Sequence, residues 1–398
     1  MIDIERARSL VEPRMAAGVR ISDFLSANPE LGFEEVRSSA RIVEELRDGG
    51  ATVRTALWEL PTAFAAETGS GERCLALFSE FDALPDVGHA CGHNLIAAWS
   101  VVAFLALQDL GDELGNRIRL IGSPSEESGA GKQLIIDRGG LDGVDWGAMV
   151  HAAPSDVLLP DILAMSHFSA EYRGLEAHAA AFPWKGRNAG DAVTLAQTGI
   201  GLLRQQLPPG DRVHTAHRGE GGAVNVITER ASLECMVRSH DVEALAVLKE
   251  RVENCLRGGA LATDTSLTLE PAAPDYANMR HDLALAGAFR TAGREAGIPF
   301  PEDEALLEGG SGLVTISTDM GNVSHRVPSI HPMVRIPTSA VNHQQAFADA
   351  CTGEAAESWI RRTAVATVLF AARLAAGRAG RTGTVAQSET PSAAVPDL

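Results

Sequence analysis

The sequence predicts an α/β protein, a central sheet flanked by helices, with a smaller α+β domain inserted into it. Three observations predict it. Short apolar runs suited to buried strands alternate with helix-period segments through the first part of the chain. After His151 the pattern changes to alternating strands with two helices, about the size of one small domain. From Arg280 the helical pattern returns, so the middle stretch reads as an insertion. The expected boundaries are 1–162 and 278–379 for the two parts of the larger domain and 163–277 for the inserted one. A tail over 380–398, rich in Thr, Ser, Pro and Ala, has no apolar period and is expected to be disordered.

Each element has its own signal. Val36, Ala40, Val43 and Leu46 fall at helical spacing within 34–50, and Gly49-Gly50 stops the helix. Cys74–Ser79 (CLALFS) is a buried strand, 95–108 a helix, Arg117–Gly122 (RIRLIG) a strand, 131–138 a helix and 146–150 (WGAMV) a strand. In the insertion, strands are expected over 163–172, 212–218, 223–227, 232–238 and 266–269, with helices over 189–206 and 241–256. A strand near 333–336 and a long helix around 357–376 close the fold.

Composition narrows the function. The 398 residues are 45% hydrophobic and 22% charged, enough for a multidomain core and incompatible with wholesale disorder. With 34 basic against 52 acidic residues the formal net charge is −18, which repels phosphate backbones and anionic lipid and makes both poor partners. The longest uncharged apolar run, 95–107, falls short of the ~20 residues of a membrane span. The opening MIDIERARSLVEPR carries charges where a signal peptide would have its apolar core. Five cysteines, scattered and odd in number, argue against a disulfide framework, so a reducing cytoplasm is the expected location.

The chemistry concentrates in EFDALPDVGHACGHN at 80–94, where His89, Cys91 and His93 occupy alternate positions beyond a strand. Thiolate and imidazole suit zinc and its first-row neighbours. A free core cysteine beside two hydrogen-bonded histidines is the plainer alternative. Glu126-Glu127 follows the strand RIRLIG, and His151 is expected to end the strand WGAMV. All three features fall at strand ends, where α/β sheets form ligand crevices. Adjacent carboxylates point in different directions, so one can bind metal while the other moves protons. A metal site is favoured over a solvated acidic loop.

Asp82 in EFDALP, the run GHACGHN, Glu126-Glu127, His151 and STDMGNVSH at 317–325 together resemble the amidohydrolase branch of the aminoacylase/carnosinase family of metallopeptidases. The family includes N-acyl-amino-acid hydrolases, dipeptidases, p-aminobenzoyl-glutamate hydrolase and indole-acetyl-amino-acid hydrolases. The likeness covers nearly the whole chain except the tail, and HACGHN is most similar to a dipeptidase-like subgroup. Asn94 stands where many relatives carry Asp.

The resemblance implies a metallopeptidase-type catalytic domain with an inserted lid and dimerisation domain. It implies Cys91, His93, Glu127, His151 and a late histidine as metal ligands. For the last, motif order selects His343 in AVNHQQAF over its competitors His325 and His331. Glu126 would be the general base for a metal-activated water, Asp82 would orient a ligand, and Asp319 would do similar work. His89 would either help position a ligand or be merely structural. His178 would donate to the oxyanion from a partner subunit, Asn225 would contact substrate near the scissile carbonyl, and Arg238 would bind a substrate carboxylate. For His178 and Arg238 a plain surface role is the alternative. The expected cofactor is a divalent ion or a pair of them, zinc or manganese first, then cobalt or nickel.

The leading expectation is a cytoplasmic, homodimeric, metal-dependent amidohydrolase acting on a small N-acyl-amino acid, dipeptide or aryl-amide conjugate. Two rivals are hydrolytic deamination of a small aromatic or amino compound by the same chemistry, and a silent metal-binding scaffold. Retention of both Glu126 and Glu127 argues against the scaffold. Loops 182–187 and 306–312 are expected to shape the substrate pocket.

Overall fold

The computed structural model describes residues 2–218, 223–300 and 315–377. The expected tail at 380–398 and the loop at 306–312 lie outside the described residues. The chain divides into two compact units, Met1–Asp161 with Met279–Leu398, and Ile162–Asn278.

The first unit opens with helices α1 (Ile4–Val11), α2 (Met15–Ala27) and α3 (Val36–Asp48), then strands β1 (Val53–Thr55), β2 (Phe64–Thr68) and β3 (Cys74–Ser79). Helix α4 (His93–Gln108), strand β4 (Arg117–Gly122), helix α5 (Gly131–Asp137) and short strands β5 (Trp146–Ala148), β6 (His151–Ala153) and β7 (Asp161–Ile162) follow. The second unit comprises β8 (Ala164–Arg173), α6 (Ala189–Leu203), β9 (Arg212–Arg218), β10 (Arg230–Ser239), α7 (Val242–Thr263) and β11 (Ser266–Pro271). The chain then returns with α8 (Leu283–Glu295), β12 (Thr315–Ile316), α9 (Met320–Ser324), β13 (Ser329–Ile330), β14 (Met333–Arg335), α10 (Gln345–Ala350) and α11 (Gly353–Ala375).

The first unit is built on a six-stranded sheet in the order β1-β2-β4-β3-β5-β13. Strands β4, β3, β5 and β13 run parallel, with Leu77 opposite Leu120 and Ala148, and β2 pairs antiparallel with β4. Parallel strands covered on both faces read as continuous apolar runs, and every residue of β3 is buried. Helix α4 packs on β3, β4 and β6, with α2 and α11 against its remaining sides. It is apolar all round for that reason, Leu95 to Leu107 being buried throughout. Trp99 Nε1 donates to Thr367 Oγ1 at 3.0 Å and ties α4 to α11.

One expected strand is broken in a way that matters. WGAMV does not run on to end at His151: β5 stops at Ala148, and His151 opens β6, which pairs parallel with β14 in a separate two-stranded sheet. Backbone hydrogen bonds from Met149 to Ile330 and from His151 to Pro332 carry the pairing across the break.

The second unit is a four-stranded antiparallel sheet in the order β11-β8-β10-β9, with α6 and α7 packed on one face. Alternation along β8 and β10 places Phe168, Ala170, Tyr172, Leu233, Cys235 and Val237 in its core. The strand expected at 223–227 is instead a turn, with Val226 bridging to His178. Its backbone bonds to residues 177–179 instead of extending the sheet, and residues 223–226 are exposed.

Candidate metal centre

The loops that leave β3, β4 and β5 carry the chemistry. Beyond Ser79 come Glu80 and Asp82, both buried. Beyond Gly122 come Glu126 and Glu127, and beyond Ala148 comes His151. Gly92, in the left-handed conformation at φ +82°, caps α4 and turns the chain so that Cys91 and His93 face the same region. His343 is also left-handed at φ +71°, and its backbone amide donates to the Ala90 carbonyl at 2.8 Å.

Three sets of ligand atoms converge there, each within 4.8 Å: Cys91, His93 and His151; Cys91, Glu127 and His343; and Glu80, His93 and Glu126. Cys91 belongs to the first two. His343 Nε2 lies 3.7 Å from Glu127 Oε2, whereas His331 is buried with its ring edge-on to His151, centroids 5.5 Å apart. His325 follows α9 and belongs to none of the three sets. His89 is buried with neither ring nitrogen hydrogen-bonded to a described residue.

Hydrogen bonds fix the rings. His93 Nδ1 lies 2.9 Å from the Asp82 carbonyl and 3.1 Å from Asp82 Oδ1, so it carries a proton and Nε2 is turned into the cluster. Nε2 faces Glu80 at 3.4 Å, Glu126 at 3.7 Å and Glu127 at 3.8 Å. His151 Nδ1 bonds the Ala152 carbonyl at 2.7 Å, which turns Nε2 toward Cys91 Sγ at 3.7 Å. Asp82 Oδ2 accepts the Glu127 amide at 2.9 Å, so one carboxylate holds both a ring and a backbone.

The electrostatics show what the cluster lacks. Burial holds the Glu126 carboxyl well above the usual range, and Glu80, Glu127 and Asp319 push it further. Burial likewise raises Glu127 to about 7 and raises the Cys91 thiol. Burial lowers His151 to about 4, which keeps it neutral. At Asp82 burial is outweighed by His93, and the carboxyl stays below its ordinary value. His93 Nε2, Glu80 Oε2 and Glu127 Oε1 are buried without a hydrogen-bond partner among the described residues. Acceptors crowded together in low dielectric are costly unless a cation lies between them, and this donor set of thiol, imidazole and carboxylate fits a divalent metal ion.

Four residues of this environment were not singled out from the sequence: Glu80, Lys132, Asn342 and Glu35. Glu80 and Asp319 both bind the ammonium of Lys132, Asp319 at 2.6 Å, and all three are fully buried. Asn342 Nδ2 donates to Cys91 Sγ at 3.8 Å. Glu80 and Asn342 sit beside recognisable motif residues, which was their only signal; Lys132 and Glu35 have no spacing signature. Asn94 points elsewhere: its amide donates to Ser22 Oγ at 2.9 Å and to the Cys351 carbonyl at 2.8 Å, a bond that Asp could not make.

The second unit brings His178 and Asn225 together. The Ala179 amide donates to the Asn225 carbonyl at 2.9 Å, and His178 bridges to Val226. His178 Nδ1 accepts the amides of Ala180 and Ala181 at 3.2 and 3.1 Å, so its exposed ring carries the proton on Nε2 as a donor. Arg238 is half-buried near the end of β10, opposite Arg212 and Met165.

Residues 76–361 match the profile of Peptidase family M20/M25/M40. Xaa-Arg dipeptidase of Mus musculus is 37% identical over 358 residues, spanning 86% of this chain and 82% of the relative. N-acetyl-L-cysteine deacetylase of Bacillus subtilis is 29% identical over 313 residues, 70% of this chain and 72% of the relative. Among solved structures, the aminobenzoyl-glutamate utilization protein of Klebsiella pneumoniae superposes with a TM-score of 0.69 at 18% identity, covering 92% of this chain and 98% of that one, a likeness of fold. The chain therefore belongs to peptidase family M20/M25/M40, whose members its sequence resembles, and is a hydrolase of peptide or amide bonds.

Proposed function

We propose that this protein cleaves the peptide bond of a dipeptide, or the amide of a kindred N-acyl amino acid, with a divalent ion at each of the two sets that share Cys91. The dipeptide comes first because the Xaa-Arg dipeptidase match spans most of both chains. Cys91, His93 and His151 would hold one ion, and Cys91, Glu127 and His343 the other. Sulfur and imidazole donors favour zinc, with manganese, cobalt and nickel next. The ions would acidify water and polarise the scissile carbonyl.

The residues divide the remaining work. Glu126, buried among carboxylates and outside both Cys91 sets, takes the proton of the attacking water and returns it to the leaving nitrogen. Asp82 keeps the His93 ring and the Glu127 backbone in place. His178 offers its Nε2–H to the oxyanion, in a dimer formed through the Ile162–Asn278 unit, and Asn225 stands beside it. Arg238 takes the substrate carboxylate through its guanidinium fork. The five free cysteines support a reducing, cytoplasmic setting.

The observation that carries the reading is the pair of ligand sets joined at one thiol, with a second buried carboxyl left over for proton transfer. The test is Glu126→Gln, assayed on a panel of dipeptides ending in Arg, N-acyl amino acids and aryl amides with several divalent ions. Unchanged metal content with abolished turnover is expected. Surviving turnover would remove Glu126 from its role.

A further inference from the structure

We propose that Glu35 is a positioning residue for Glu126: its buried carboxylate grips the backbone of Ser125 and so sets the direction in which the next side chain is presented. The inference rests on Glu126 being the proton carrier.

Glu126 sits on the loop between β4 and α5, and that loop is held by its amides. The Ser123 amide donates to the Ser79 carbonyl at 2.8 Å, the Ser125 amide to Glu35 Oε1 at 2.8 Å, and the Glu127 amide to Asp82 Oδ2 at 2.9 Å. At the far end the Lys132 amide donates to Asp319 Oδ2 at 2.8 Å. Glu126 is thus bracketed by two carboxylate-held neighbours, one on each side.

The anchoring is needed because the loop is not at rest. Ser125 has φ +54° and Ala130 φ +51°, and neither is glycine. Each left-handed residue of this kind costs roughly 1 kcal/mol or more and persists only when its surroundings over-determine it. Released at Ser125, the backbone relaxes, and Glu126 swings with it.

Glu35 is built as an anchor. It immediately precedes α3, far from Ser125 in sequence, and is fully buried. Its second oxygen accepts from Thr62 Oγ1 at 3.0 Å, and the Thr62 carbonyl accepts from Ser39 Oγ of α3 at 2.7 Å. Both carboxylate oxygens are therefore engaged and the group cannot turn. A buried carboxylate is expensive beside an apolar side chain of the same size, so its place here calls for a task that packing does not supply. The task is reach: an aspartate is shorter by one carbon–carbon bond, about 1.5 Å, and leaves the Ser125 amide beyond hydrogen-bond distance.

The experiment compares Glu35→Asp, Glu35→Gln and Glu126→Gln in the metal-loaded full chain, on the compound best turned over in the panel above, with kcat, KM and metal content measured. Misplacement of a catalytic group by about 1 Å lowers rate on the order of 10²-fold, so Glu35→Asp should lose kcat on that scale with KM and metal content unchanged. Glu35→Gln keeps both length and acceptor and should retain most of kcat. Wild-type kcat in Glu35→Asp, equal damage in Glu35→Gln, or metal loss in step with kcat would each overturn the proposal. Should Glu35→Asp not fold, Thr62→Val frees the second oxygen and is read the same way. An active Glu126→Gln removes Glu126 as the proton carrier and the premise of this proposal with it; an inactive one beside an active Glu35→Asp sinks only the role of Glu35.

Discussion

A carboxyl shut away from water holds its proton longer than it would in the open chain. Burial, reinforced by the charge of Asp82, pushes Glu35 up to about 7. The folded form therefore binds a proton that the unfolded form has already lost between about pH 4.3 and 7. The stability this contributes is fully present below the unfolded pKa and is lost as pH rises through about 7. Glu35→Gln keeps the acceptor without the charge, so its urea midpoint should gain on the wild type between pH 5 and pH 8; a constant difference would mean that Glu35 does not titrate there. Cys91 makes a second prediction, since both ligand sets use it. Cys91→Ser should empty both, whereas His343→Ala and His151→Ala should each lose the ion of one set, as measured by elemental analysis; equal losses in all three would mean that the sets are not separate. Cys91, His93, Glu127, His151 and His343 could be picked out because they lie in short motifs with a recognisable order. Glu80, Lys132, Asn342 and Glu35 could not, because tertiary contact alone gives them their places: Lys132 meets Asp319 across nearly half of the chain.

At the scale of elements, the site depends on how the strands end. Gly92 is the case nearest the ligands: a Cβ there would stand 2.8 Å from the Ala152 Cβ of β6, at a φ of +82° that disfavours any side chain. Gly92→Ala should destabilise the protein by roughly 2 kcal/mol or more, through strain and overpacking together, and should loosen metal binding because Cys91 and His93 flank it. A denaturation midpoint and metal affinity equal to wild type would contradict that reading. The strands Cys74–Ser79 and Arg117–Gly122 were legible to the residue, the first as a short apolar run and the second as an alternation of arginine and aliphatic residues. The break at Met149-Val150 was not, because an apolar run gives no sign of where pairing passes from one sheet to another. The stretch 223–227 misled for another reason: its alternating apolar residues sit in an exposed turn, where Val224 and Val226 face solvent and the pattern marks no buried face.

At the scale of the molecule, the fold class followed from the alternation of strand and helix signals and from the return of helical period after Arg280. The family followed from the order of its motifs across the chain, and the profile match over residues 76–361 agrees with it. The choice of substrate did not, since specificity is set by loop conformations that no residue pattern fixes. Buried acids also set the global response to metal. Glu80, Asp82, Glu126 and Asp319 are buried around one buried lysine, so removing the ions should lower thermal stability. Ions at about a hundred times their dissociation constant contribute about 2.7 kcal/mol, and a chelator should lower Tm accordingly; an unmoved Tm would mean that the carboxylates hold nothing. The decisive comparison is turnover and metal content of the same preparation, before chelation, after it, and after return of a divalent ion. Activity should vanish with the metal and come back with it, an ion for each of the two sets that share Cys91. Full hydrolysis by protein stripped of metal would overturn the metal-dependent reading.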